Sequence, residues 1–319
     1  MSANPFLADP AIAARHLELS TLIGPELEAE LAGLVAARAY RTADNLGGIV
    51  GSQEVARLVD SFALGSIEML MLLALPVARR IALPPISQFF VGAVGLERET
   101  GNLILGGNVE FPGTHLGFTI HGEGFVFTRA ASRGTSVAAI AIGEAHPCAH
   151  CRQYLSEFAA SRDLVLIDPL GHRLTMAELY PWPFDPAYLG EAGLVTGKGT
   201  LPELDLVPNG LPPATAAALR AAGRRAHAPY SRCPGALVLE LRDGSLVSGF
   251  SIESVAFNPT MGPLQAAMID LVAHGCATSD IAAATLGTRL GGAVDYAASV
   301  GELLGRLAPG VPLTTVGWA

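Results

Sequence analysis

The apolar and polar positions of this chain follow two different periods, and the change falls near residue 85. Up to about Pro85 the chain is rich in Ala, Leu and Glu, with Leu27, Leu31, Leu34 and Val35 spaced as one face of a helix. The apolar run from Ile67 to Leu75 is interrupted by Glu68 and stopped by Pro76. It is well short of the roughly 20 residues a membrane helix needs, and predicts a buried helix instead. From Phe89 the period shortens. Phe90-Val91-Gly92-Ala93-Val94 and Leu103-Ile104-Leu105 flank the turn-forming Glu99-Thr100-Gly101-Asn102, which predicts a β-hairpin. Beyond it, helices are expected over 120–132 and 148–160, and strands over 136–142 and 164–167. That alternation predicts an α/β fold, a sheet covered by helices on both faces.

The Pro-rich Pro181-Trp182-Pro183-Phe184-Asp185-Pro186 and the Gly, Pro and Leu stretch over 197–213 read as a connection between domains. After it the hairpin pattern returns. His227-Ala228-Pro229-Tyr230-Ser231, Gly235-Ala236-Leu237-Val238 and Leu246-Val247-Ser248-Gly249-Phe250-Ser251-Ile252-Glu253 repeat the order of Pro85-Ile86-Ser87, Gly92-Ala93-Val94 and Ile104-Leu105-Gly106-Gly107-Asn108-Val109-Glu110. The second half is therefore expected to be a diverged copy of the first. The expected division is an opening helical segment over 1–85, a first domain over 86–190, a linker over 191–212 and a second domain over 213–319.

Composition narrows the function. With 50% hydrophobic and 15% charged residues the chain can bury a large core. A net charge of −9 and the lack of a Lys/Arg cluster argue against partners that are phosphate polyanions, so neither nucleic acid nor a membrane surface is expected. Four cysteines, two of them in a C-x-x-C, point to metal chemistry in a reducing compartment. Cys233 and Cys276 read as small buried hydrophobes. Met1-Ser2-Ala3-Asn4-Pro5 lacks the basic and apolar parts of a secretory leader, so a cytoplasmic location is expected.

The chemistry is concentrated in His121-Gly122-Glu123 and Pro147-Cys148-Ala149-His150-Cys151. An H-x-E followed by P-C-x-x-C is the signature of zinc deaminases, in which one His and two Cys hold Zn²⁺ and the Glu moves protons without touching the metal. Three protein ligands leave a fourth position for water, as a catalytic rather than a structural zinc requires. His121, Cys148 and Cys151 are the expected ligands of one zinc per subunit, and Glu123 the expected acid–base. Both motifs are expected at helix N-termini, where the positive end of the dipole favours thiolate. His146 or His150 could instead close a structural Cys₂His₂ site. The second copy has Pro263 and Gln265 where the first has His121 and Glu123, and no C-x-x-C follows. It is expected to bind no metal and to serve as a packing partner that shapes the first site.

Five blocks in order carry a family resemblance: Ser87-Gln88-Phe89-Phe90-Val91-Gly92-Ala93, Gly107-Asn108-Val109-Glu110-Phe111, His121-Gly122-Glu123, Pro147 to Gln153, and Ala256-Phe257-Asn258-Pro259-Thr260. From about Leu75 the chain resembles the dimeric, two-domain cytidine deaminases. The resemblance implies a three-layer α-β-α fold with a mixed sheet, present twice after the small helical segment, once as a catalytic copy and once as a degenerate metal-free copy. It also implies a homodimer whose pocket is completed across subunits. Asn108 and Glu110 would bind the ribose hydroxyls and Phe89 would pack on the pyrimidine. The carbonyl of Gly122 would accept from the substrate amino group, and Phe257 would reach across the dimer interface. Three positions depart from the family pattern: Gly122 and Gly124 around Glu123, His146 before Pro147, and one extra residue in the hairpin before Asn108.

The expected reaction is hydrolysis of cytidine or deoxycytidine at C4, with zinc-bound hydroxide as nucleophile, Glu123 as proton shuttle, and uridine or deoxyuridine and ammonia as products. Its place would be pyrimidine salvage. Three other classes stay open: a deaminase of another amino-nucleoside, such as a modified cytidine or a nucleoside antibiotic, a zinc-stabilised nucleoside-binding protein without turnover, and an editing enzyme for RNA or single-stranded DNA. The last would need a basic channel that the acidic composition does not suggest. By themselves, Asn108 and Glu110 could be hairpin turn residues, and Phe89 and Phe257 core residues.

Overall fold

The structure, a computed structural model, describes residues 9–22, 24–39, 44–143, 146–208 and 210–318; the Met1–Pro5 peptide lies outside them. Helices α1 (Pro10–Leu22) and α2 (Pro25–Ala39) lead into the two-residue strand β1 (Ile49–Val50), α3 (Ser52–Ser61) and α4 (Ile67–Ala78). The hairpin β2 (Gly92–Glu97) and β3 (Leu103–Gly107) precedes α5 (Gly122–Arg133), β4 (Val137–Ile142), α6 (Ala149–Ser156), β5 (Val165–Ile167), β6 (Arg173–Thr175) and α7 (Met176–Leu179). After a long connection come α8 (Pro213–Arg225), β7 (Ala236–Leu241), β8 (Leu246–Phe250), α9 (Pro263–Ala273), β9 (Ile281–Thr288), α10 (Tyr296–Leu307) and β10 (Leu313–Gly317).

Two mixed sheets result, ordered β1-β3-β2-β4-β5-β6 and β10-β9-β7-β8, with β4–β5 and β9–β10 the parallel pairs. Helix α4 covers one face of the first sheet and α5 the other, while α8 and α9 do the same for the second. Because α5 packs on α9, the two three-layer units share a central helical layer. The expected α/β architecture, present twice, is the one observed.

Helix α4 behaves as its sequence suggests, with Ser66 Oγ accepting from Met69 N at its N-cap and Pro76 tolerated in its last turn. Leu70, Met71, Leu73, Ala74, Leu75, Val77 and Ala78 are buried, and the helix packs on β2, β3 and β4 as well as on α2 and α3. Composition placed this helix in the opening segment; we propose that the first domain begins with α4 rather than at residue 86. Strand β1 was not expected, because two residues are too few to show a period. Helix α5 starts at Gly122, after its N-cap His121, and α6 stops at Ser156, four residues short of expectation. The reason is that the Glu157 backbone leaves the helix to pair with Leu194, its carbonyl accepting from Leu194 N at 2.7 Å. The expected linker is tied down there and at Leu206, which bridges to Trp318.

The duplication is visible in backbone detail. Leu83 N donates to Asn108 O and Glu110 N to Leu83 O; His227 N donates to Ser251 O and Glu253 N to His227 O. Gln88 and Arg232, both non-glycine, occupy the left-handed region at φ +55° and +57°. Gly106 and Gly249 share a register, and a Cβ there would fall 2.3 Å from the Phe125 ring and 2.1 Å from Ala267 N. Each helix thus crosses its hairpin over a glycine. The bridges Val109–Ile120 and Ile252–Met261 shift the expected correspondence by one: His121 matches Gly262 and Glu123 matches Leu264. The cause is a shorter connection in the second copy, Glu253 to Met261 against Glu110 to Ile120. Gly and Leu still offer no metal ligand.

Glu97, fully buried at the end of β2, ties the hairpin turn to the end of α5. It accepts from Arg133 Nε at 2.6 Å, Thr135 Oγ1 at 2.7 Å, Asn102 Nδ2 at 2.8 Å and Thr100 Oγ1 at 2.5 Å. Burial alone would raise its pKa, but these bonds, that of Arg133 above all, hold it below the ordinary 4.5. A depressed folded-state pKa stabilises the fold above the unfolded value, and that contribution disappears as pH falls through the folded value. Glu97→Gln should cost about 3–5 kcal/mol at pH 7, as for a broken buried ion pair. The gap from wild type in urea unfolding should narrow below pH 4.5; a gap that stays constant down to pH 3.5 would contradict this account.

Candidate active site

His121 is the N-cap of α5 and Cys148 the N-cap of α6, and neither side chain caps its own helix. Both are instead turned toward each other. His121 Nδ1 lies 3.5 Å from Cys148 Sγ and 3.2 Å from Cys151 Sγ, and all three ligand atoms fall within 4.8 Å of one another. A tetrahedral zinc with Zn–S of about 2.3 Å and Zn–N of about 2.0–2.1 Å places adjacent N and S ligands about 3.5 Å apart. The donor set and its spacing therefore fit zinc.

The protons of the cluster are unevenly held. Contact with Cys151 and then with His121 lowers the Cys148 thiol to about 3, while contact with Cys148 and burial push Cys151 up. The neighbouring Cys148 raises His121. Glu123, 5% exposed in the first turn of α5, is raised by burial, and its carboxyl touches the Cys151 thiol. The cluster thus holds protons that a divalent ion would displace.

Of the other expected residues, Glu110 lies near enough to His121 to interact with its charge. Asn108 is buried and clamps the segment just before β2, its Oδ1 accepting from Val91 N and its Nδ2 donating to Phe89 O, both at 2.9 Å. One amide hydrogen is left for a ligand. Glu110 accepts from Ile86 N at 2.8 Å, Ser87 N at 2.9 Å and Ser87 Oγ at 2.5 Å. Burial opposes its ionisation, but these bonds outweigh it and lower its pKa. Glu253 repeats the clasp on Tyr230 and Ser231, so the clasp is part of the scaffold as well as of the site. Phe89 is 40% exposed. Phe257 is 63% exposed, at φ +64°, with its ring 6.2 Å from that of Tyr230. None of Asn108, Glu110, Phe89 and Phe257 lines the cavity at the candidate metal ligands.

That cavity, about 150 Å³, is bounded by His121, Gly124 and Cys151 on one side and by Thr260, Met261 and Gln265 of the second half on the other. Gln265 Nε2 donates to Phe118 O at 2.9 Å, fixing the two walls to each other. Sequence reasoning did not place these three residues in the site. The nearest signal was Thr260 at the end of the fifth block.

Two models described as the cytidine and deoxycytidylate deaminase zinc-binding region match the chain, one over residues 65–167 and the other over 196–299. A cytidine deaminase of Photobacterium profundum is 34% identical over 247 residues, 76% of this chain and 80% of the relative. The chain belongs to the cytidine deaminase family. A family member from Vibrio atlanticus is 31% identical over 272 residues, 85% of this chain and 90% of its own length. A crystal structure of cytidine deaminase from Mycobacterium tuberculosis is 28% identical, covering 36% of this chain and 94% of that one with a TM-score of 0.33. Zinc is the metal of this family's binding region, and His121, Cys148 and Cys151 are the candidate site for it here.

The glycines around Glu123 differ in what they permit. A Cβ on Gly124 would meet Met261 Cε at 3.4 Å, an ordinary contact; one on Gly122 would meet Ala93 Cβ at 3.0 Å. Gly124→Ala should therefore gain about 0.5–1 kcal/mol of helix propensity and raise the thermal midpoint by about 2 °C. In Gly122→Ala, crowding should cancel that gain. Equal midpoint shifts for the two variants in a melting experiment would refute the distinction.

Proposed function

We propose that this chain deaminates cytidine and deoxycytidine to uridine and deoxyuridine, consuming water and releasing ammonia, in the salvage of pyrimidines. The observation that carries this reading is the His121, Cys148 and Cys151 triad with the buried Glu123 carboxyl in contact with Cys151. Zinc held by the triad would supply a water acidified from 15.7 toward about 7. Glu123 would take one proton from the attacking water and deliver it to ring N3 so that C4 becomes electrophilic, and would then pass the remaining proton of the hydroxyl added at C4 to the departing amine, leaving the uridine carbonyl and ammonia. Its burial in an apolar helix start suits this work, because a carboxyl of raised pKa gives protons as readily as it takes them. The Gly122 carbonyl accepts from the substrate amino group. Asn108 and Glu110 hold the ribose hydroxyls, and Phe89 packs on the base.

Two features support a homodimer that completes the pocket. The cavity at the triad, about 150 Å³, is below the roughly 300 Å³ at which small-molecule sites begin. Leu83, Ile86, Phe89, Leu116 and Phe257 are exposed apolar side chains, Leu116 at the rim of that cavity, and Phe257 is the one we assign to the partner's pocket. The acidic composition supports a nucleoside partner rather than nucleic acid, and two cysteines committed to a metal support a cytoplasmic setting. Among the described residues no helix is long and apolar enough to cross a membrane.

Glu123→Gln should retain zinc yet lose about 10²–10⁴-fold in kcat for cytidine, followed by loss of ultraviolet absorbance. Near wild-type turnover with zinc bound would remove the proton-shuttle assignment. Asn108→Ala should lower kcat/KM for cytidine more than for free cytosine. The loss shared by both substrates measures the loosened clamp on Phe89 and Val91, and equal losses would mean that Asn108 does not touch the sugar.

A further inference from the structure

Outside the triad, His146, Asp168 and His172 bring three more ligand atoms within 4.8 Å of one another. Asp168 follows β5 and is 3% exposed. Its Oδ1 accepts from the backbone N–H groups of Leu170 and His172, at 2.9 Å each, closing the turn into β6. Only Oδ2 remains, and two imidazoles converge on it, His172 Nδ1 at 2.8 Å and His146 Nε2 in closer contact. The two rings meet edge to face with centroids 5.0 Å apart. Both are partly exposed, so the cluster opens to solvent on one side. None of the three residues lines the cavity at the triad.

A turn clasp needs only the two backbone bonds to Oδ1; it does not call for two imidazoles on the other oxygen. An N···O separation of 2.8 Å is close to the roughly 2.9 Å between adjacent ligands of a six-coordinate ion with bonds of about 2.0–2.1 Å. Two imidazoles, one carboxylate and open positions for water are the facial donor set of divalent first-row metals. In the second half the register of the parallel strands places Thr315 where the first half has Asp168, so the cluster belongs to the metal-bearing half alone.

We propose that His146 Nε2, Asp168 Oδ2 and His172 Nδ1 form a second divalent-metal site, sulfur-free and separate from the cysteine centre. His146 stands two residues before Cys148, so an ion there would also tether the approach to that cysteine.

The test uses the untagged full-length chain, dialysed against buffered free Zn²⁺ with metal measured by mass spectrometry, and titrated in parallel with Co²⁺ under absorption spectroscopy. Wild type should bind two equivalents. His172→Ala, at an exposed ring that leaves the fold intact, should bind one and keep the thiolate-to-cobalt charge-transfer band. The Cys148→Ser, Cys151→Ser double variant should also bind one, without that band. A wild type that saturates at one equivalent with the band present, unchanged by His172→Ala, overturns the second site and leaves the deaminase reading standing. A second equivalent that binds while no band forms in wild type would count against the cysteine centre instead.

Discussion

Two helix N-termini are aimed at one point, and the chemistry depends on that convergence. His121 and Cys148 hold N-cap positions where Ser, Thr, Asp or Asn would satisfy a backbone N–H. Elsewhere the chain uses such caps, as at Ser66, Thr175 and Asp295. At the site it forgoes them, at a cost of about 1 kcal/mol per helix, so that an imidazole and a thiolate can meet at the positive ends of two dipoles. Helix α5 tolerates this because it is buried nearly throughout, between the first sheet and α9. The position of the candidate metal ligands is therefore set by packing between the halves rather than by local capping.

This gives the second copy a physical role that does not require chemistry of its own. It has lost the ligands and kept the scaffold: the Glu253 clasp on Ser231, the glycine at 249 under α9, and the strained turn at Arg232. Its Tyr296 packs onto Gly235, so close that a Cβ there would fall 2.7 Å from the ring, and interacts with Ser251, the counterpart of Asn108. The two halves are then joined around buried charges. Glu157, at the end of α6 and fully buried, accepts from His227 Nε2 at 2.7 Å, Tyr230 Oη at 2.8 Å and Val255 N at 2.8 Å. Arg129 of α5, also fully buried, donates to Asp270 of α9 at 3.1 Å and to the Gly47 carbonyl. Removing either partner would strand a buried charge, which is why these contacts hold the helices in one arrangement.

What was legible in the sequence follows from range. The C-x-x-C and H-x-E spacings are local, and so were their helix starts; the hairpin and β4 showed their periods directly. The duplication was legible as order but not as register, because the connection from Glu253 to Met261 is shorter than its counterpart and a one-residue offset leaves no mark in composition. The second wall of the cavity was not legible, since Met261 and Gln265 reach Gly124 and Phe118 only through the packing of α9 on α5. The docking of α4 on β2 was hidden for a related reason. An Ala- and Leu-rich helix looks the same whether its apolar face meets other helices or a sheet. His146 stood out as an extra imidazole near the metal, but Asp168 and His172 join it only through the parallel crossover from β4 to β5.

The family description covers both nucleosides and nucleotides, and the charges around the proposed site bear on the choice between them. With a divalent ion bound by the proposed ligands, two thiolates and an imidazole would offset its charge, which would suit the reacting end to an uncharged base. At the proposed sugar end, Glu110 is held ionised by three hydrogen bonds that a substrate need not supply. A phosphate about 8 Å from that carboxylate would be repelled by about 2 kcal/mol per unit charge at an effective dielectric of about 20. Among the described residues neither the cavity at the triad nor the one of about 390 Å³ beside Glu110 is lined by a lysine or arginine to compensate. In the proposed site, a carboxylate that is ionised before substrate arrives, with no cation lining either cavity among the described residues, would select against the phosphorylated form, which supports cytidine over its nucleotides as the proposed substrate.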